Sequence, residues 1–244
     1  MPSVTPHCCG SFLVDASLLV HGTSGVVEAP SIVYLIDAEE TILVDTGFGP
    51  VELMAEYHPS YRCHREPGQD LQSILDVEGY APADVDSVVL SHLDWDHCYG
   101  LEAFAEATVY VQREELAYAV APYPMHADRY EATSLGREPP WLTADLTALN
   151  GETELCPGVT AFPTPGHTVG HQSVAVETGD ETTVVAVDAI QTFENVSGDG
   201  DPIPGQPMDD VAWWESATDV LDRADRLLPG HEWSILDAGR AGLS

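Results

Sequence analysis

Ser91-His92-Leu93-Asp94-Trp95-Asp96-His97 packs four side chains able to bind a metal into six residues: His92, Asp94, Asp96 and His97. The stretch follows Val85–Leu90, an apolar run that reads as a buried strand, and precedes Gly100. A loop at the C-terminal end of a strand fans neighbouring side chains in different directions, so adjacent residues can serve two ions. Neutral imidazole mixed with hard carboxylate oxygen suits zinc, iron, manganese or cobalt.

Three further places repeat one pattern, a His or Asp at the end of an apolar strand beside a small residue. They are Thr164-Pro165-Gly166-His167, Val187-Asp188-Ala189 and Leu228-Pro229-Gly230-His231. Singly each is a weak signal. Together with the first stretch they give seven candidate ligands: His92, Asp94, Asp96, His97, His167, Asp188 and His231. That is what two ions sharing a carboxylate need, and two ions about 3.5–4 Å apart can hold a hydroxide and polarise a carbonyl or phosphoryl oxygen.

Working outward, Ser31–Ile36 and Thr41–Val44 read as a hairpin across Asp37-Ala38-Glu39-Glu40, ending in the loop Asp45-Thr46-Gly47-Phe48-Gly49-Pro50. Asp70–Glu78 has helical spacing in Leu71, Ile74 and Leu75. Arg113–Val120 also reads as helix, and prolines break up the rest of 112–151, where Tyr118, Tyr123, Tyr130 and Trp141 form either an aromatic lid or packing for a long loop. Strands are expected at Val159–Phe162, Gln172–Val176 and Thr182–Val187. A Gly/Pro/Asp loop follows at Ser197–Pro207, then a helix over Asp209–Leu228. Strands, helix, strands, twice over, predict a layered α/β sandwich with helices outside, a single domain spanning residues 1–244.

The set Asp45-Thr46-Gly47, His92-Leu93-Asp94-Trp95-Asp96-His97, Thr164-Pro165-Gly166-His167-Thr168, Asp188 and Gly230-His231 resembles the metallo-β-lactamase superfamily, in order from about Ile32 to His231. The segment Thr164–Ser173 is most similar to that of the N-acyl homoserine lactonases. The resemblance implies an αββα four-layer sandwich with the site at one edge of its sheets. It implies one ion on His92, Asp94 and His167, another on Asp96, His97 and His231, and Asp188 bridging both. It also gives Asp96 the proton that passes from attacking hydroxide to leaving alkoxide.

Two departures stand out. The family pattern is His-x-His-x-Asp-His, and Asp94 replaces its second His. Either the carboxylate hardens the first ion's ligand set, favouring iron or manganese over zinc, or Asp94 binds no metal and the first site is weak or empty. Gln191 stands where the lactonases usually carry a Tyr three residues after the bridging Asp. It offers the developing oxyanion a weaker N–H donor, and lost oxyanion donors cost on the order of 10²–10³ in rate elsewhere. The expected activity is hydrolysis of a small ester, foremost a lactone such as an N-acyl homoserine lactone, by a metal-bridged hydroxide. Asp96 and Gln191 are the expected catalytic residues, with two divalent ions, zinc first, as cofactors. Another ester, a thioester or a phosphodiester is the alternative, with a di-iron redox protein behind it. Tyr118–Trp141, Trp213, Trp214 and Phe193 are candidates for an acyl-chain wall.

Asp45 is expected to hydrogen-bond ligand histidines or their loop, His171 to support the ligands from behind or serve as packing, and Cys98 to be a small buried thiol. His7, His21, His58, His64 and His126 read as surface or structural. Composition narrows the partners. Of 244 residues, 41 are Asp or Glu and 8 are Arg, with no Lys, for a formal charge of −33. Such a surface repels phosphate backbones and anionic lipid, which argues against nucleic acid and membrane and for a small-molecule substrate. Self-repulsion at that charge fades at 1 M salt, where the Debye length is about 3 Å, so the chain reads as a halophile's protein. Five scattered cysteines, no cationic leader and no long apolar run point to reduced thiols in the cytoplasm. A homodimer is a further expectation.

Overall fold

The computed structural model describes residues 1–196 and 200–236. Two-residue alternation in the strands explains its layers. In β2 (Val26–Asp37), Ile32, Tyr34 and Ile36 face one side, and Val33 and Leu35 the other. β3 (Thr41–Val44) separates Ile42 and Val44 from Leu43, and β4 (Ser87–Val89) separates Val89 from Val88. Both faces are apolar because both are covered.

These strands belong to a six-stranded sheet ordered β1-β2-β3-β4-β5-β6, completed by β1 (Ser3–Asp15), β5 (Thr108–Gln112) and β6 (Leu146–Leu149). β1, β2 and β3 pair antiparallel, and β3 through β6 run parallel. A second sheet, ordered β11-β10-β9-β8-β7, comprises β7 (Thr153–Cys156), β8 (Val159–Pro163), β9 (Gln172–Glu177), β10 (Thr182–Val187) and β11 (Arg226–Pro229). Ile32, Tyr34, Ile36, Ile42 and Val44 pack against Val159, Val174, Val176, Val185 and Leu228 across the gap between the sheets.

Helices close the two outer faces. Leu43, Val88 and Val109 of the first sheet lie under Ile74 and Leu75 of α3 (Leu71–Glu78), with α4 (Arg113–Ala119) alongside. Asp70 caps α3 by accepting from the Ser73 N–H, and Gly79 ends it at φ 87°. Phe162, Val184 and Ala186 of the second sheet lie under Trp213, Ala217 and Val220 of α5 (Asp210–Arg223), which Asp209 caps. Two short helices, α1 (Ala16–Leu19) and α2 (Val51–Tyr57), pack near the far end of β1 around Phe12, Met54 and Trp95. This is the expected αββα sandwich.

The boundaries correct the reading in places. The helix expected over Asp209–Leu228 stops at Arg223. Ala224 turns extended, and Arg226–Pro229 becomes β11, parallel to β10 with Leu227 beside Val184 and Leu228 beside Val185. A strand added next to a buried one draws in Leu227 and Leu228 as firmly as a helix face would. Within 112–151 the chain forms α4, two single turns (Pro124–His126, Thr133–Leu135) and β6. Tyr130 and Trp141 are buried in the core behind the first sheet and Tyr123 is exposed, so those aromatics form no lid. Of the loop expected at Ser197–Pro207, residues 197–199 lie outside the described ones.

Candidate metal centre

β3, β4, β8, β10 and β11 end at one edge of the sandwich, and the loops leaving them converge. Strand β3 runs into Asp45, β4 into Ser91–His97, β8 into Thr164–His171, β10 into Asp188 and β11 into His231. Two close approaches demand small residues or strain. A side chain at Gly230 would meet Asp188 Oδ1 at 2.3 Å, and Val187 is held at φ 47°, costly for a β-branched residue, immediately before Asp188.

The ligand atoms of His92, His167 and Asp188 lie within 4.8 Å of one another, and so do those of Asp96, His97 and His231. Asp188 faces both groups. Its Oδ2 is 3.2 Å from His167 Nε2, while its Oδ1 is 3.2 Å from His231 Nε2 and 3.7 Å from His97 Nε2. Asp94 is the exception. Its Oδ2 is 3.5 Å from both His92 Nε2 and His167 Nε2, yet Arg129 donates to that same oxygen, from Nε at 2.8 Å and from Nη2 at 2.5 Å.

The surrounding bonds turn each imidazole the right way. His97 Nδ1 donates to Asp45 Oδ2 at 2.8 Å, and His231 Nδ1 donates to the Pro30 carbonyl at 2.8 Å. Ser91 Oγ donates to Asp45 Oδ2 at 2.7 Å and stands 2.8 Å from His92 Nδ1, whose proton it then accepts. Each of these rings therefore presents a bare Nε2 inward. Asp45 plays the role expected of it, taking the Ser91 N–H as well. His171 bonds Thr164 Oγ1 through Nδ1 outside both ligand groups, and Cys98 is a buried thiol on the Asp94 carbonyl. His58 is buried and structural, held by Glu131 and stacked on Trp95.

This environment asks for cations. His92 Nε2, His97 Nε2, Asp94 Oδ1 and Asp188 Oδ1 are buried with no hydrogen-bond partner among the described residues. Three buried carboxylates, Asp45, Asp94 and Asp188, and the largely buried Asp96 meet a single nearby guanidinium, an imbalance too expensive to leave in a desolvated site. Burial raises the carboxyl of Asp188, but His231, His167 and His97 pull it well below the ordinary range. Burial pushes His167 down to about 4, which keeps its ring neutral. The donor set, imidazole nitrogen and carboxylate oxygen, fits divalent zinc, iron or manganese.

Two functional contributors, Glu115 and Arg129, gave no motif. Glu115 of α4 accepts from the Leu93 N–H at 3.0 Å and the Gly170 N–H at 2.9 Å, tying together the two loops that carry His92 and His167. Arg129 was signalled only indirectly: an Asp in a His position calls for a counter-charge. A cavity of about 580 Å³ opens above the ligands, with Asp94, Asp96, His167, Asp188 and His231 as its floor and Phe12, Val14, Leu19, Tyr61, Trp95 and Met208 on its apolar side. The expected wall stretch Tyr118–Trp141 contributes Met125, His126, Asp128 and Arg129, but its aromatics Tyr118, Tyr123, Tyr130 and Trp141 do not line the cavity, nor do Trp213, Trp214 or Phe193. The aromatic wall comes instead from Phe12 of β1, Tyr61 after α2 and Trp95 of the ligand loop. Gln191 lines the cavity, but its amide N–H donates to Asp188 Oδ2 at 3.2 Å.

The family model of the metallo-beta-lactamase superfamily matches residues 26–231. The chain belongs to the metallo-β-lactamase superfamily. An N-acyl homoserine lactonase of a Bacillus species is 32% identical over 181 residues, 70% of this chain and 68% of that protein. One of Bacillus thuringiensis is 34% identical over 173 residues, 66% of this chain and just under two thirds, 64%, of its own length. The solved structure of an N-acyl homoserine lactone hydrolase with N-hexanoyl-L-homoserine at its catalytic metal centre superposes with a TM-score of 0.79 at 25% identity, covering 96% of this chain and 95% of that one. With family, relatives and ligand geometry in agreement, the chain is a metal-dependent hydrolase.

Proposed function

We propose that the chain opens the ring of small lactones, of the N-acyl homoserine lactone class, at a centre with room for two divalent cations, zinc first. The observation that carries this reading is Asp188, set between two ligand groups on the floor of a cavity with an apolar, partly aromatic wall. Cations bound there would supply Lewis acidity and an activated water at neutral pH.

The chain's own residues set the rest. Asp96 faces the cavity, its Oδ2 3.5 Å from His97 Nε2 and 3.9 Å from His231 Nε2, where it can take a proton from an attacking water and return it to the leaving alkoxide. Phe12, Tyr61 and Trp95 offer an acyl chain an apolar surface while the polar head meets the floor. Gln191, bonded to Asp188, steadies that carboxylate rather than an oxyanion. Lactone turnover is therefore expected to be slower than in relatives that keep the Tyr. The iron-redox alternative was prompted by Asp94 as a hard ligand, and Arg129 on its Oδ2 weakens that prompt.

The test is a hydrolysis screen in molar salt with zinc-loaded protein, covering N-acyl homoserine lactones, a thioester and a phosphodiester. Saturable lactone opening that disappears in Asp188→Ala is the expected result. Turnover of phosphodiester alone would replace this reading with the alternative.

A further inference from the structure

Arg129 lies on the turn-rich segment between Pro124–His126 and Thr133–Leu135, and its side chain, 25% exposed, lines the cavity. Nη2 bonds two atoms at once, Asp94 Oδ2 and, at 2.8 Å, His167 Nε2. Those are two of the atoms a first ion would need. Asp94 Oδ2 stands 3.5 Å from His92 Nε2 and from His167 Nε2, and His167 Nε2 stands 3.2 Å from Asp188 Oδ2. Atoms about 2.1 Å from one tetrahedral ion stand about 3.4 Å apart, so these positions are otherwise those of a complete ligand shell.

A lone pair that accepts from a guanidinium is not free for a metal. Arginine also does not shed its proton, so it neither becomes a ligand nor loses its charge. No comparable cation touches Asp96, His97 or His231 among the described residues. We propose that Arg129 is a built-in cation of the first ligand group: bonded to Asp94 and His167, it holds that group against an ion, so that the group formed by Asp96, His97 and His231 loads first and alone. The first group fills only when the guanidinium swings into the cavity. The family centre is thus made unequal by one substitution and its counter-charge, Asp94 and Arg129.

This deepens the proposed hydrolase by stating how many ions it keeps, and its test needs no substrate. Wild type, Arg129→Met and Asp94→Asn are saturated with zinc in molar salt and gel-filtered, and bound metal is counted by mass spectrometry. The expected counts are about one equivalent for wild type, about two for Arg129→Met and about one for Asp94→Asn. A chelator competition should show the second zinc at least about 10-fold tighter in Arg129→Met than in wild type. Two firmly held equivalents in wild type, falling to one in Asp94→Asn, would make Asp94 a ligand that Arg129 merely steadies, and would overturn the proposal. One equivalent in Arg129→Met with native circular dichroism would overturn it as well. If Arg129→Met fails to fold, Arg129→Gln serves in its place with the same expected count. Lactone turnover bears on the activity reading alone, so either can fail without the other.

Discussion

Glu115 is a fully buried acid with no ion-pair partner among the described residues, yet it joins the two ligand loops through the Leu93 and Gly170 N–H groups. Its pKa is raised by burial, which outweighs the help of those two donors and of His92. A raised carboxyl binds its proton more readily in the folded state, so this residue favours folding at lower pH and opposes it as pH rises through its folded value. Glu115→Ala strands two buried N–H groups at about 1–3 kcal/mol each. Urea unfolding should show a loss of that order, together with weaker metal retention, because the Ser91–His97 loop that carries Asp96 and His97 loses its brace. Glu115→Gln, which keeps one acceptor, should fall between. A chelator titration that leaves Glu115→Ala at wild-type affinity would refute the bracing role.

At the scale of elements, the segment carrying Arg129 is itself held by a network centred on the buried pair His58 and Glu131. His58, just past α2, bonds Glu131 at 2.7 Å and lies 3.4 Å from Asp128. Arg137 bridges both acids, and Tyr99 donates to Glu131 at 3.0 Å. Burial would lower His58, but Asp128 and Glu131 raise it above 6.5. The stability it contributes is therefore fully present below about pH 6.5 and lost as pH climbs through the raised folded value. The stability difference between wild type and His58→Gln should shrink between pH 6 and pH 9, and a difference that grows would reverse this assignment. The same elements show what a sequence discloses. The β2–β3 hairpin, β4 and β8 to β10 announce themselves as apolar runs between turns, and all seven ligand candidates sit at strand ends where small residues punctuate them. β1, β5, β6 and β7 carry half-polar patterns, since one face or one edge meets other surroundings. Arg129, Glu115 and Phe12 matter only through contacts with residues 35, 22 or more positions away, and no local pattern encodes that.

Across the whole molecule, the formal charge of −33 is expected to make stability depend on salt. Repulsion among exposed carboxylates should lower the unfolding midpoint in dilute buffer, and raising KCl to about 1 M, where screening reaches about 3 Å, should restore it. Sucrose stabilises by exclusion without screening, so it should recover much less. Equal recovery by the two would remove the electrostatic account. No helix of the described residues is long and apolar enough to cross a membrane.

The two sheets share no strand, and the ligands are divided between them: His92 to His97 follow a strand of the first, while His167, Asp188 and His231 follow strands of the second. A cation gripped by both parties is in effect a cross-link, and in the group of Asp96, His97 and His231 it joins residues up to 135 positions apart (231 − 96). Removing it should let the layers part at that rim before the apolar interior gives way. In Arg129→Met, where both groups should fill, protease sensitivity of the Pro165–Val169 turn would then serve as a gauge of occupancy, with cleavage speeding up under chelation and slowing again once zinc returns.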